Sequence, residues 1–379
     1  MGAERRKVDR VHMTDIESIQ LDDQCGMKFW WAKLDGGRGL VRREDALKDQ
    51  LGLEIHEDLY TISQMEDISP KAIQEALDDI LSPLTAEDRQ NRKRMELLYR
   101  RLGWIAAFAL YIEPSLRRAY DPVLKEGKPP DRELIFEHDP LWVVVKPDRL
   151  LMDKATNEVL YHEYLPSTNT GRQWLHSHHY KVRLHAGLAA LQNDLIDTDL
   201  GKREMFGQVR ALSLGFESST DGHLVHPYVY GYHSKAKQEW TCSSALSARG
   251  NGVWDVAPIW TFPGGIVSWV QACGEEIAKA QFPLSPKVKL NEYALNEWAA
   301  RRIHRERTIA SLRTTAQENH YLRKIHFEKR TDHCYPEQGP PCPFLKLCWD
   351  KKLAEGPISS GLFVQNVPNL HMVTEGLTS

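Results

Sequence analysis

The pattern of apolar and polar positions predicts a β-hairpin near the middle of the chain. Leu141–Val145 is an apolar, β-branched run, and residues 158–165 form a second strand-like run. Residues 153–157, between them, supply the Asp, Lys, Thr and Asn typical of a turn. We expect each strand to deliver one carboxylate: Asp148 directly after the first strand, and Glu163 near the end of the second.

Helical periodicity dominates before this hairpin and returns after it. Residues 70–121 carry apolar stripes between charged positions, with a kink expected at Pro114, and residues 172–194, 266–280 and 290–315 show further helical patterns. Strand-like runs lie at 205–233, with a turn at 221–222, and at 253–260. The pattern predicts an α/β fold with a sheet flanked by helices, a helical N-terminal region and a C-terminal lobe rich in Cys.

The composition is that of a soluble globular chain. Of 379 residues, 27% are charged and 41% hydrophobic, and the formal net charge of -3 gives no overall basic signature of nucleic-acid binding. A local basic groove would suffice for that binding. No apolar run is long enough to span a bilayer, and the first residues lack the apolar core of a signal peptide, so we expect no membrane association and a cytoplasmic location.

The two carboxylates of the predicted hairpin suggest a metal site. Asp148 and Glu163, on neighbouring strands, can hold a hard divalent cation through oxygen ligands, as phosphodiester hydrolysis requires. A plain hairpin with solvated acidic side chains is the simpler interpretation of this segment taken alone.

The six cysteines are too sparse for a disulfide scaffold and more typical of metal binding. Three of them lie close together in a proline-rich tail, at Cys334, Cys342 and Cys348. An iron–sulfur cluster or a tetrahedral zinc needs a fourth thiolate, for which Cys25 is the candidate, and spacing alone leaves both cofactors open. Such a site would hold the two ends of the chain together. We expect the remaining two, Cys242 and Cys273, to be buried core thiols.

Four segments, in this order, resemble the PD-(D/E)XK nucleases of the RecB-like type that carry an iron–sulfur clasp. They are QCGMKFWWAKL, which contains Cys25; ALKDQLGLEIHEDL, which contains His56; KPDRLL, which contains Asp148; and CPFLKLCW, which contains the last two cysteines. This family includes the CRISPR adaptation exonucleases, the AddB nuclease domain and bacteriophage proteins. The resemblance implies a PD-(D/E)XK nuclease-like mixed sheet flanked by helices, with a Cys-clasped C-terminal lobe.

The resemblance also implies ligands, cofactors and partners. His56, Asp148 and Glu163 would bind Mg²⁺ or Mn²⁺, with the imidazole favouring Mn²⁺. The four cysteines of the clasp would bind a 4Fe-4S cluster, with zinc as the alternative. The substrate would be DNA, as single strands or ends, cleaved by an exonuclease in a phage, recombination or repair context, in the bacterial host cytoplasm if the chain is phage-encoded. Protein partners stay open.

This sequence departs from the family at the catalytic lysine. Where the family has (D/E)-x-K, the chain has Glu163 followed by Tyr164 and Leu165, and leucine can neither donate a hydrogen bond nor carry charge. The next helix lacks the family's Gln-x-x-x-Tyr. A basic residue there, Lys181 or Arg183, is the candidate replacement. Arg183 should face the site but is a poor proton acceptor, whereas Lys181 can titrate if desolvated. The alternative is a catalytically silent DNA-binding or assembly protein.

Two further polar groups and the domain boundaries complete the expectations. The histidines at 176, 178, 179 and 185 follow no common ligand spacing, and we expect a solvated helix face. An Arg-rich helix with arginines at 301, 302, 305 and 307 is either an exposed charged helix or a phosphate-contacting surface. The predicted regions are N-terminal helices (1–60), a helical insertion (61–130), a nuclease-like core (131–260), C-terminal helices with the clasp (261–355) and a tail (356–379).

Overall fold

The computed structural model of the chain describes residues 13–15, 25, 30, 32, 40–42, 55, 57–124, 134–138, 141–167, 182–213, 217–218, 224–242, 253–318, 334, 342–355, 357–360 and 362–365. Two compact units are distinguished, each built from separate segments. The terminal unit comprises Met1–Asp49, Glu133–Val145 and Asn291–Ser379, and the central unit comprises Gln50–Arg132 and Lys146–Leu290.

The strands of the described residues are, in chain order, β1 (Met13–Asp15), β2 (Leu40–Arg42), β3 (Tyr120–Pro122), β4 (Leu134–His138), β5 (Leu141–Val145), β6 (Arg149–Asp153), β7 (Val159–Ser167), β8 (Met205–Ser213), β9 (Glu217–Ser218), β10 (Leu224–Val225), β11 (Tyr230–Ser234), β12 (Glu239–Thr241), β13 (Asp255–Pro258) and β14 (Phe363–Gln365).

The helices are α1 (Pro70–Leu81), α2 (Ala86–Gln90), α3 (Arg92–Ala107), α4 (Glu113–Ala119), α5 (Val182–Leu195), α6 (Gly265–Cys273), α7 (Glu275–Gln281), α8 (Glu292–Glu318), α9 (Leu345–Trp349) and α10 (Lys351–Glu355). A π-helical turn, Phe108–Ile112, joins α3 to α4. Residues 70–121 are thus helical almost throughout, as predicted, and the irregular turn directly precedes Pro114, whose ring cannot fit an unbroken helix.

The central unit contains a four-stranded mixed sheet in the order β3-β6-β7-β8. β6 pairs antiparallel with β7, with Arg149 opposite His162. β7 pairs parallel with β8 over its whole length. Parallel neighbours need a crossover connection rather than a tight turn, and α5 lies in that connection. The predicted α/β class with a mixed sheet flanked by helices is confirmed.

The predicted strand Leu141–Val145 exists as β5, and the turn and the second strand of the hairpin are also right, but the predicted pairing of the two strands is wrong. The turn holds as expected, because Asp153 Oδ1 accepts hydrogen bonds from two backbone N–H groups and Asn157 adopts a φ of 60°. The strand paired with β7 is β6, whereas β5 pairs with β4 and β1 in another sheet. Pro147 separates β5 from β6, because proline cannot donate to a sheet ladder.

The two faces of the four-stranded sheet are covered by different helices. Side chains alternate along β7, so Tyr161 and Glu163 point to one face and Tyr164 to the other. On the first face, the Tyr161 ring lies against the backbone of α5 at Gly187. On the second face, the Tyr164 ring meets Phe108 of the π-helical turn edge-on, with centroids 5.5 Å apart. Each face of β7 is therefore buried.

The terminal unit brings segments from both ends of the chain together. β14 pairs antiparallel with β2, and a buried hydrophobic cluster joins residues of the two ends. Its members are Cys25, Trp30, Leu40, Phe344, Leu347, Cys348, Ala354 and Phe363. The predicted helix at 290–315 is confirmed as α8.

Two of the remaining predictions need adjustment. The helix predicted over 266–280 is interrupted at Gly274, whose φ of 87° ends α6 before α7 begins. The strand pair predicted over 205–233 reduces to the short ladder of β9 with β10, because β8 pairs with β7 instead. β13 confirms the strand predicted at 253–260. Within the described residues, no helix combines the length and the apolar character needed to cross a membrane.

Candidate active site

Asp148 and Glu163 meet at the edge where β6 begins. The backbone N–H of Asp148 donates to the His162 carbonyl at 3.0 Å. Asp148 Oδ2 in turn accepts a 2.6 Å hydrogen bond from the backbone N–H of Tyr164. These two bonds hold the Asp148 carboxylate beside the strand that carries Glu163. Asp148 lies between two strands, after β5 as expected and directly before β6.

Glu163 is a buried carboxylate with two side-chain donors. Only 1% of the residue is exposed. Its Oε1 accepts a 2.7 Å hydrogen bond from the Tyr161 hydroxyl, and its Oε2 accepts a 2.5 Å bond from Arg183 Nε on α5. A buried charge is tolerated when it is both paired and hydrogen-bonded, and Glu163 meets both conditions.

The electrostatic balance at Glu163 is set by burial against one positive neighbour. Burial raises the pKa of Glu163, the Arg183 guanidinium and the Tyr161 hydroxyl lower it, and the negative charge of Asp148 raises it again, with a net upward shift. Burial and then the Glu163 charge hold the pKa of Tyr161 well above its ordinary value. Tyr161 is therefore a hydrogen-bond donor at neutral pH.

The structure brings together three of the five residues predicted for the catalytic centre. Asp148 and Arg183 both lie near Glu163, and Arg183 faces this carboxylate, as expected from its place at the family's Gln position. His56 and Lys181 lie outside the described residues. Leu165 is half-buried and shares the Glu163 face of β7.

Two residues of this site were missed at the level of sequence. Tyr161 lies two positions before Glu163, so strand alternation places both side chains on one face. Gly187 lies four positions after Arg183 on α5, and a Cβ there would come within 2.4 Å of the Tyr161 ring. The glycine therefore lets the helix approach the strand closely enough for Arg183 to reach Glu163.

Other polar predictions have mixed outcomes. The expectation of a solvated histidine face is wrong for His185, which is only 4% exposed, and the other three histidines lie outside the described residues. In the Arg-rich helix α8, Arg301 is exposed, whereas Arg302 is only 2% exposed and does not belong to an open charged surface. Cys242 and Cys273 are confirmed as buried core residues.

The four cysteines predicted for the clasp all belong to the terminal unit. Cys25 and Cys348 are members of its hydrophobic cluster, and Cys342 packs against it. The backbone N–H of Cys342 donates to the Cys334 carbonyl at 3.0 Å, which links these two cysteines directly through the backbone. Three of these thiols are buried and Cys342 is half-buried.

The donor chemistry of both sites fits the implied cofactors. Two neighbouring carboxylates are the oxygen ligands preferred by Mg²⁺ and Mn²⁺, and thiolates suit iron–sulfur clusters and zinc. No group of three or more His, Cys, Asp or Glu side chains is arranged to hold a metal ion in the part of the chain that the structure describes. At Glu163 the counter-charge is Arg183, so a metal would share this carboxylate with the guanidinium.

We compared the sequence with protein-family models and with curated protein sequences. The chain matches no protein-family model and has no significant match among curated protein sequences. A functional assignment therefore rests on the residues themselves and on the geometry of Asp148, Glu163 and Arg183.

Proposed function

We propose that the chain is a metal-dependent DNA nuclease, an exonuclease acting on single strands or ends. The observation that carries the proposal is the convergence of Asp148, Glu163 and Arg183: two carboxylates on paired backbone segments, with a cation on the following helix. The resemblance to PD-(D/E)XK nucleases assigns metal-binding carboxylates to these positions. The mixed sheet flanked by helices is consistent with such a core.

Each residue has a distinct task in this proposal. When bound, Mg²⁺ or Mn²⁺ would lower the pKa of a coordinated water and polarise the scissile phosphate. Asp148 and Glu163 would hold the cation, with His56 as the third ligand. The Tyr161 hydroxyl fixes the orientation of the Glu163 carboxylate. Arg183 stays protonated at neutral pH, so it stabilises negative charge on a phosphate but does not accept the proton of the attacking water.

The direct test is cleavage of labelled single-stranded and duplex DNA in Mn²⁺ or Mg²⁺. We expect the wild-type chain to degrade DNA from its ends, and Asp148→Ala to lower the rate by about 100-fold or more. Glu204→Ala is the matched control, because it removes a carboxylate that is 65% exposed and paired with Lys289. Equal cleavage by Asp148→Ala and wild type would refute the assignment.

A catalytically silent DNA-binding or assembly protein is the second candidate. It is favoured by the leucine at position 165 and by the ion pair that already occupies Glu163. DNA binding without cleavage in either metal would support it. Leu165→Lys separates the two candidates further: if Arg183 has replaced the family's lysine, the added ammonium changes the rate little, whereas a silent site gains activity. Leu165→Met, which adds no charge, controls for the change in shape.

We further propose that Cys25, Cys334, Cys342 and Cys348 bind a 4Fe-4S cluster that joins the two ends of the terminal unit, with zinc as the alternative. Two observations support this proposal: Cys25 and Cys348 belong to the same hydrophobic cluster, and β2 pairs with β14. Anaerobically purified protein should be brown and contain iron and acid-labile sulfide. Cys25→Ser should lose both, whereas Cys242→Ser, at a buried cysteine of the central unit, should keep them. Iron content unchanged by Cys25→Ser would refute the clasp.

A further inference from the structure

A cavity of about 370 Å³ lies in the central unit beside β8. Arg210 of β8 contributes to its wall, together with side chains from the π-helical turn, α4 and the segment after α7. Side chains alternate along a strand, so Arg210 points to the same face of β8 as Phe206 and Leu212, which belong to the main hydrophobic core. The cavity therefore lies on the sheet face opposite α5, away from Glu163.

Arg210 brings an uncompensated charge to this cavity. Its side chain is half-buried, Nη1 donates to the Phe282 carbonyl at 3.1 Å, and Nε is buried without a hydrogen-bond partner. No carboxylate of the described residues forms an ion pair with it. Burial lowers the pKa of Arg210, Tyr164 and Tyr120 raise it, and the nearby charge of Arg149 lowers it, with a net downward shift. Arginine nevertheless remains protonated in proteins. The wall thus carries a positive charge that an anion would neutralise.

The surrounding charges reinforce this excess. Glu113 is fully buried and accepts hydrogen bonds from both Arg117 and Arg149. One carboxylate therefore serves two guanidinium groups, and Arg210 adds a third cation nearby. Lys279, at the cavity, is paired with Glu275 at 2.9 Å on the exposed surface of α7. The region around the cavity is positively charged although the whole chain has a formal net charge of -3.

Apart from Ser115, the remaining walls are apolar or aromatic. Tyr111 and Tyr120 are half-buried, Phe282 is buried, and Leu284 is 40% exposed at the cavity. A volume of this size, lined by apolar surface with a few polar groups, is typical of a small-molecule site. The aromatic and aliphatic walls would pack against a flat apolar body, while the guanidinium would contact an oxyanion.

We propose that this cavity binds a small organic anion, a phosphate or carboxylate group carried on a flat apolar body, with Arg210 as the anion-binding residue. The site is distinct from the Asp148–Glu163 centre, because it opens on the other face of the sheet. Its occupancy therefore does not depend on the proposed nuclease activity.

Isothermal titration calorimetry in EDTA, without divalent metal, tests this proposal on the full chain. The probes are phenyl phosphate, benzoate and inorganic phosphate. We expect one of the two organic anions to bind at one site per chain, at least about tenfold more tightly than inorganic phosphate. Because phenyl phosphate and benzoate share the same ring, the preferred one identifies phosphate or carboxylate as the oxyanion. Failure of both to bind, or equal affinity for inorganic phosphate, would overturn the proposal.

Two variants assign the binding to Arg210. Arg210→Met should weaken the preferred anion by about tenfold or more, whereas Arg89→Met, at an exposed arginine on α2, should leave the affinity unchanged. Leu284→Glu places a carboxylate opposite Arg210 in the antiparallel bridge that joins these two residues. It should block the anion without loss of thermal stability, because the new charge is compensated. Unchanged affinity in both Arg210→Met and Leu284→Glu would refute the assignment.

Asp148→Ala separates this site from the proposed active site. Its affinity for the preferred anion should stay within about twofold of wild type, since Asp148 is held beside β7 and does not line the cavity. Loss of binding in Asp148→Ala, with Arg210→Met unaffected, would place the anion at the active site and overturn the inference. Loss of cleavage in Asp148→Ala with retained anion binding would support both proposals independently.

Discussion

On one face of the four-stranded sheet, the Glu163 carboxylate of β7 is buried against Arg183 and the Tyr161 hydroxyl. On the opposite face, Arg210 of β8 is half-buried, and no carboxylate of the described residues forms an ion pair with it. The first face has its charge compensated inside the protein. The second face instead holds an excess of guanidinium groups and a buried neutral histidine, His162. The difference indicates that the charges of the first face are neutralised by the protein itself, whereas the second face is complementary to an anion from solution.

Removing one arginine from each face should give opposite results. Arg183→Met leaves Glu163 buried without a counter-charge and should lower the free energy of unfolding by about 3 kcal/mol at pH 8. Arg210→Met removes an uncompensated charge and should stay within about 1 kcal/mol of wild type. Chemical denaturation of both variants measures the difference. Equal destabilisation by the two substitutions would contradict this comparison.

The deficit of Arg183→Met should also depend on pH. Without the guanidinium, the raised pKa of Glu163 rises further, so the folded protein holds this proton more tightly than the unfolded chain does. Stability linked to such a group is present at low pH and is lost as pH rises through the folded-state pKa. The variant should therefore approach wild type near pH 5. A deficit of the same size at pH 5 and pH 8 would exclude Glu163 as its cause.

The close approach of α5 to β7 gives a smaller effect on the compensated face. Gly187→Ala would place a Cβ 2.4 Å from the Tyr161 ring, so the helix or the ring must shift, at an expected cost of about 1–3 kcal/mol. Gly207→Ala is the control on β8, where the nearest heavy atom is Leu184 Cβ at 3.3 Å and a small adjustment suffices. If Gly207→Ala is the more destabilising variant, the tight contact at Tyr161 does not limit the packing of α5.

This contact also shows what the sequence could and could not reveal about the site. The strand-like run of residues 158–165 predicts β7, and the turn residues locate its start, because both signals are local. The expectation that Arg183 faces Glu163 comes from its place at the Gln position of the family resemblance. The prediction of the partner strand is wrong. It chose β5, the more apolar run with the higher strand propensity, whereas β6 pairs with β7. Two local signals indicate the correct partner: β6 lies next to the turn, and Pro147 separates β5 from it.

Burial and charge compensation could not be predicted in the same way. His185 is a polar residue among histidines that predicted a solvated face, yet only 4% of it is exposed. Likewise, nothing local to Arg210 indicates that its guanidinium lacks an acidic partner. That property depends on residues from α4, α7 and the following segment, which are separated from β8 along the chain. Such long-range juxtapositions have no periodic signature in the sequence.

The smallest predicted effect concerns His162 on the uncompensated face. Its ring is fully buried, neither nitrogen has a hydrogen-bond partner in the described structure, and burial, followed by the charges of Arg210 and Arg149, holds its pKa well below the ordinary value of 6.5. A depressed pKa contributes stability above that ordinary value, and the contribution is lost as pH falls below it. His162→Leu should remain within about 1 kcal/mol of wild type at pH 8.

Below pH 6.5, the same variant should lose stability more slowly than wild type, with a slope smaller by about 1.4 kcal/mol per pH unit for the one proton no longer taken up on unfolding. Some acid sensitivity should persist, because burial also lowers the pKa of His226 to about 3. Denaturation curves at intervals from pH 8 to pH 5 measure both slopes. Parallel curves would mean that the pKa of His162 is not depressed in the folded protein. A shallower curve would show that the buried imidazole stays neutral in the folded protein, as burial first and the charges of Arg210 and Arg149 second require.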